Sequence, residues 1–159
     1  MIESDRMNAR VVSINISDKK GIRKKAVNSA VLKENYGLEH DAHASGEWHR
    51  QISLLALESI KKMQEKGLEV GPGDFAENIT TEGIDLVSLP VGTKITIGEN
   101  IEMEVSQIGK VCHTRCAIYR QAGDCVMPRE GIFARVLQGG TVRKGDGIEV
   151  TLDPSQPLK

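Results

Sequence analysis

Aromatic side chains are nearly absent: one Trp, two Tyr and two Phe serve a chain of 159 residues. A core with so few rings must be assembled from Val, Ile, Leu and Met. A dominant charge is lacking as well. Lys and Arg number 21 against 22 Asp and Glu, for a formal net charge of −1. No basic excess is available to neutralise a phosphate backbone, which argues against a general nucleic-acid binder. No apolar run approaches the ~20 residues that span a bilayer, so no membrane role is expected. The opening residues, Met1 to Arg6, lack the charged-then-apolar order of a secretory signal, and a cytoplasmic location is the expectation. The length suits one domain, expected over residues 10–152, between loose tails at 1–9 and 153–159. Such a domain buries roughly two-thirds of its unfolded surface and needs no disulfide or metal to fold.

Cysteine is scarce but not scattered. The three present, Cys112, Cys116 and Cys125, fall within fourteen consecutive residues. An odd count without a secretory signal is a poor disulfide framework. Thiols that merely fill a core are usually spread over its elements, so the clustering points to chemistry.

The remaining pattern predicts a mainly β domain. Val11 to Ile16 reads as a first strand, with a second near Ala26 to Leu32. Lys94–Ile97 and Ile101–Val105 alternate with period two around Gly98-Glu99-Asn100, the mark of a hairpin. A last strand is expected from Ile148 to Leu152. Two helices are predicted among them. The first is capped by Ser53, carries Leu54, Leu55, Leu57 and Ile60 as its apolar stripe, and stops at Gly67. The second follows Pro128, with Ile132, Phe133, Val136 and Leu137 on its apolar face. Short strands with interspersed helices suggest a closed or nearly closed barrel.

Two stretches concentrate reactive side chains. Tyr36 to Gln51 has no regular periodicity yet holds His40, His43 and His49, and sites gather on such segments. Cys112-His113-Thr114-Arg115-Cys116 lies just beyond a predicted strand. A thiolate is the reactive form of cysteine and is favoured by nearby cations, here His113, Arg115 and Arg120. Spacing alone leaves three readings open: a reactive thiolate, inert packing thiols, or zinc held by Cys112, His113, Cys116 and Cys125. His40, Asp41 and His43 offer a possible hard-metal set.

A resemblance narrows these readings. Gly37, His40-Asp41-Ala42-His43, His49-Arg50-Gln51, Phe75-Ala76-Glu77-Asn78-Ile79-Thr80, Cys112, Arg115-Cys116-Ala117-Ile118-Tyr119, Gly123-Asp124-Cys125 and Gly131-Ile132-Phe133-Ala134-Arg135-Val136 follow one another in the order of the MOSC domain. That domain stands at the C-terminus of molybdenum cofactor sulfurases and also occurs alone in bacteria. The resemblance runs from about Val11 to Val150. It implies a β-barrel with two or more short helices in which one cysteine, here Cys116, ligates molybdenum or carries sulfur as a persulfide. Cys125, Cys112 and His113 rank behind it as catalytic candidates. The implied ligand is molybdopterin, a pterin bearing a phosphate. Arg50, Arg115 and Arg129 suit the phosphate, while Asn78, Thr80 and Thr81 suit pterin amides. His40, His43 and His49 are candidate donors or proton shuttles. The partner implied is a cysteine desulfurase or a molybdenum enzyme. Alternatives are a molybdenum-dependent reductase of N-hydroxylated compounds, a non-catalytic cofactor carrier, and a zinc-stabilised domain.

Overall fold

A computed structural model describes residues 9–17, 25–41, 46, 51–67, 69–73, 75, 77–108 and 131–151. The first strand, β1 (Arg10–Ile16), is followed by β2 (Lys25–Val27), β3 (Ser29–Lys33) and β4 (Gly37–Leu38). Next come β5 (Ile52–Ala56), helix α1 (Leu57–Glu65) and β6 (Ile79–Glu82), then a 3-10 turn at Leu86–Ser88. The hairpin β7 (Lys94–Ile97) and β8 (Ile101–Ile108) follows as the alternation predicts. β9 (Ile132–Gln138), β10 (Gly140–Arg143) and β11 (Ile148–Thr151) complete the fold. The expectation of a mainly β domain holds.

Eight strands form one sheet in the order β11-β7-β8-β9-β5-β6-β1-β2, and β10-β3-β4 form a second. Every pairing is antiparallel except β5 with β6, which α1 connects as a crossover. The expected barrel is instead a curled sheet whose ladder does not close. Its far edges meet only around an isolated bridge, Arg10 to Gly147. There Val11 donates to the Asp146 carbonyl at 2.8 Å, and Ile148 donates to that of Ala9 at 3.0 Å. The reason lies in β1. β6 occupies one of its edges, and β2 takes the C-terminal half of the other through Ile14, Asn15 and Ile16. Only the N-terminal half is left for the turn before β11.

Both predicted helices need correction. Ile52 to Ala56 is a strand rather than the first turn of a helix, so Ser53 is not its cap. All five of its residues are buried. Leu54 faces the inner core and Leu55 an outer cluster with Ile60, Met63, Val70, Phe75 and Phe133. A strand covered on both faces reads as an unbroken apolar run, which spacing alone does not separate from a helix. Helix α1 starts only at Leu57, and the chain leaves it at Gly67 with φ of 93°. That left-handed geometry favours glycine and fits the predicted stop. Ile132 to Gln138 is likewise a strand, held between β8 and β5. Among the described residues α1 is the only α-helix, against the two or more expected.

The two sheets come close where β9 passes into β10. A side chain on Gly139 would overlap the backbone carbonyl of Leu32, so the position accepts hydrogen alone. Gly139→Ala is expected to destabilise the fold by about 2 kcal/mol through enforced backbone shift. Chemical denaturation checks this, and an unchanged midpoint would contradict so tight an approach.

Candidate functional site

The block Phe75 to Thr80 forms the end of the α1–β6 connection and the root of β6, and it is buried. Glu77, Asn78, Thr80 and Thr81 are each at most 1% exposed. They meet Ser13 and Asn15 on β1 and Ser53 on β5, which are also buried. Asn78 ties three strands together. Its Oδ1 accepts from the Ser53 backbone amide at 3.0 Å and the Ser53 hydroxyl at 3.2 Å. Its Nδ2 donates to the Asn15 carbonyl at 3.3 Å. Its own backbone N–H donates to Ser53 Oγ at 3.0 Å, and its carbonyl accepts from the Asn15 amide at 2.7 Å.

A second chain of bonds converges on Glu77. Ser13 Oγ donates to Asn15 Oδ1 at 2.7 Å. Asn15 Nδ2 donates to Thr80 Oγ1 at 3.1 Å and to the Glu77 carbonyl at 3.2 Å. Thr80 Oγ1 passes its proton to Glu77 Oε2 at 2.6 Å, and the Gly73 amide donates to the same oxygen at 2.8 Å. Glu77 Oε1 has no partner, and neither has Thr81 Oγ1. Burial pushes the Glu77 carboxyl above its ordinary value, with the bonds from Gly73 and Thr80 opposing the shift. Desolvation disfavours the charged form, so this acid tends toward neutrality.

Of the predicted cofactor contacts, Asn78 and Thr80 therefore direct their polar atoms inward, to Ser53, Asn15 and Glu77. His40 is different. Its side chain is 81% exposed, its Nε2 lies 3.7 Å from Glu39 Oε1, and its φ is 72°. Histidine in that left-handed region is uncommon and costs some strain. Beside it Asp41 is buried, with its Oδ1 accepting from the Ser17 amide at 3.0 Å. Cys112, His113, Arg115, Cys116, Cys125 and Arg129 lie outside the described residues, as do His43, His49 and Arg50. Among the described residues no group of three or more His, Cys, Asp or Glu is gathered to hold a metal.

What the structure does place is the frame around the cysteine segment. β8 ends at Ile108, paired with Ile132, and β9 resumes the sheet there. Ile132 pairs with Leu54, and Leu54 with Ile79. With strands ~4.8 Å apart, the point where the chain returns from that segment lies roughly 10 Å from the root of β6. A register shift between Val105 and Gln107 precedes the departure, as bulges often do beside sites. Gln51 anchors the histidine-bearing stretch to the same strand. Its Oε1 accepts from the Val136 amide at 3.0 Å, and its Nε2 donates to Asn35 Oδ1 at 2.8 Å.

Asn15, Glu77, Gln51 and Ser53 were not singled out from the sequence. A signal existed: Ser13 and Asn15 share one face of β1, each beside apolar neighbours. Two polar side chains on one face of an otherwise apolar strand call for buried partners.

Comparisons with known proteins agree with this geometry. YuaD from Bacillus subtilis superposes with a TM-score of 0.75 at 20% identity, covering 91% of this chain and 96% of that one. YiiM from Geobacillus stearothermophilus gives 0.71 at 22% identity, covering 95% and 79%. YiiM from Escherichia coli gives 0.63 at 18%, covering 96% and 72%. Identities this low establish likeness of fold only. A search of curated protein sequences finds no match. No helix among the described residues is long and apolar enough to cross a membrane. The MOSC domain model, of a family associated with molybdenum cofactor binding, matches residues 41–149. Because that span is well over half of its length, the chain belongs to the MOSC domain family.

Proposed function

We propose that this protein binds the molybdenum cofactor and handles its sulfur through Cys116. The observation that carries the reading is the extent of the family match, residues 41–149, which takes in all three cysteines, His43, His49 and Arg50. The donor set suits the group. A thiolate is a soft ligand for a thiophilic metal, and guanidinium pairs with phosphate in a bidentate fashion. Cys116 is the metal ligand in this reading, Arg50, Arg115 and Arg129 take the phosphate, and His40 offers its open imidazole. When bound, the group supplies a redox-active metal centre. Asn78, with its side-chain atoms committed to Ser53 and Asn15, serves by fixing the strands around the site.

The same thiolate accounts for sulfur carriage without the metal. Attack on the outer sulfur of a donor persulfide forms a new S–S bond at Cys116. The donor's own S–S bond breaks, and its electron pair leaves with the donor thiolate. The donor fitting this step is a cysteine desulfurase, and the acceptor a molybdenum enzyme. His113, Cys112 and Cys125 stand close in sequence to the reacting sulfur. Their part is to stabilise the thiolate or to resolve the persulfide.

Elemental and pterin analysis of protein from a molybdate-replete host tests the cofactor reading. Wild type should carry molybdenum and pterin together, and Cys116→Ala should lose at least about tenfold of both. Incubation with a desulfurase and cysteine should add the mass of one sulfur atom, which Cys116→Ser abolishes. A protein that gains neither sulfur nor cofactor, or that instead holds stoichiometric zinc and unfolds on chelation, overturns the proposal.

Asn78→Ala should behave in the opposite sense. It strips partners from the buried Ser53 amide and the Asn15 carbonyl, at a cost of about 2–3 kcal/mol. Thermal unfolding should show that loss in the cofactor-free protein, while Cys116→Ala leaves the midpoint nearly unmoved. Equal stability of the Asn78 variant and wild type would contradict the role given to this side chain.

A further inference from the structure

We infer that the Glu77 carboxyl is a proton-dependent latch: neutral, it holds Gly73 against the root of β6, and ionised, it lets that connection open. The inference concerns the fold itself and holds whether or not a cofactor binds. Its relevance to the proposed site comes from what the latched connection packs against.

The geometry is that of a strap fastened at two points. On one side Phe75, 5% exposed, lies in the outer apolar cluster with Phe133, the residue after Ile132 where the chain returns from the cysteine segment. On the other side Glu77 Oε2 holds the Gly73 amide at 2.8 Å. Gly73 has φ of 90°, a left-handed setting in which a glycine moves freely. Nearer the helix, Gln64 Nε2 donates to the Val70 carbonyl at 2.7 Å, which keeps the start of the connection on α1. The movable part therefore lies between Val70 and Glu77.

The carboxyl is poorly suited to carrying charge where it stands. It is fully buried, and Oε1 has no partner. Around it stand Ser13 and Asn15 from β1, Thr80 from β6 and the Gly73 amide. No charged side chain compensates it among the described residues. Every side-chain bond in the network donates toward Glu77, so a negative charge there is half solvated by Oε2's two donors and bare at Oε1. Release of Gly73 admits water to the bare oxygen, which is the cheapest relief open to an ionised carboxylate in this position.

The sign follows from burial. The closed form holds the proton above the ordinary value of 4.5, while the open, hydrated form releases it near that value. The latch is at full strength below 4.5 and weakens as pH rises through the raised value, beyond which it levels off. Opening should thus grow about tenfold per pH unit inside that window, one proton being released on opening.

Amide hydrogen exchange at Gly73, followed by NMR from mildly acidic to mildly alkaline pH, reads the opening directly. After division by the intrinsic exchange rate, wild-type protection should fall about tenfold per pH unit within the window and then flatten. Glu77→Gln, permanently neutral, should give a flat profile. Thr80→Val retains the acid but removes a bond that favours its ionised form. It should keep the slope and carry it to higher pH. Protection independent of pH in wild type overturns the inference, as does the same slope in Glu77→Gln or a flat profile in Thr80→Val. Because cofactor-free protein is used, none of these outcomes depends on the cofactor reading.

Discussion

The fold depends on solving one polar problem inside an apolar sheet. β5 and β6 are parallel, and β6 begins where the α1 connection must turn back into the core. Backbone groups at such a turn leave the ladder and still have to be satisfied away from water. Asn78 does this for three strands at once, receiving Ser53 and donating to Asn15. An amide suits the position because it has both a donor and an acceptor end, and a side chain with only one would leave a partner bare. The neighbouring Glu77 and Thr80 extend the arrangement into β1, so the register of the three strands is set by side chains as well as by ladder bonds.

This arrangement explains why the sequence was readable in some places and not in others. β1, β7, β8 and β11 alternate between core and solvent or meet at a glycine turn, and their pattern carries the period of a strand. β5 and β9 are covered by the inner core and by the outer cluster around Phe75 and α1. Covering both faces erases the alternation, and Leu54, Leu55, Leu57 and Ile60 then match a helical stripe by coincidence of spacing. The choice between strand and helix at those residues is made by neighbours distant in the chain, above all Ile79 and Ile132, which no local window contains.

The candidate site divides along the same line. Its reactive members are visible as residue types: clustered thiols, histidines in an irregular stretch, arginines beside them. Its supporting members are visible only as anomalies. Asn15 is a polar residue inside an apolar strand, and Glu77 and Gln51 are hydrophilic side chains that the fold buries completely or nearly so. Read alone, Asn78 and Thr80 look like ligand donors, since amides and hydroxyls serve that purpose well. The structure occupies their polar atoms internally. Chemical suitability is shared by contact residues and scaffold residues, and only the direction of the side chain separates them.

That separation has a consequence for how the family can vary its chemistry. Gln51, Asn78 and Asp41 fasten three separate stretches to β9, to β5 with β1, and to the end of β1. The strands so fixed bracket both ends of the cysteine segment, Ile108 and Ile132. A reactive loop mounted between pinned strand ends can change its length and side chains without disturbing the core, because its anchors are satisfied elsewhere. The low identity to YuaD and to both YiiM proteins, beside close agreement of the fold, is what such a division of labour produces. The constancy of the architecture then resides in buried polar contacts of a few strands, and differences of activity within it must be sought in the loop they hold.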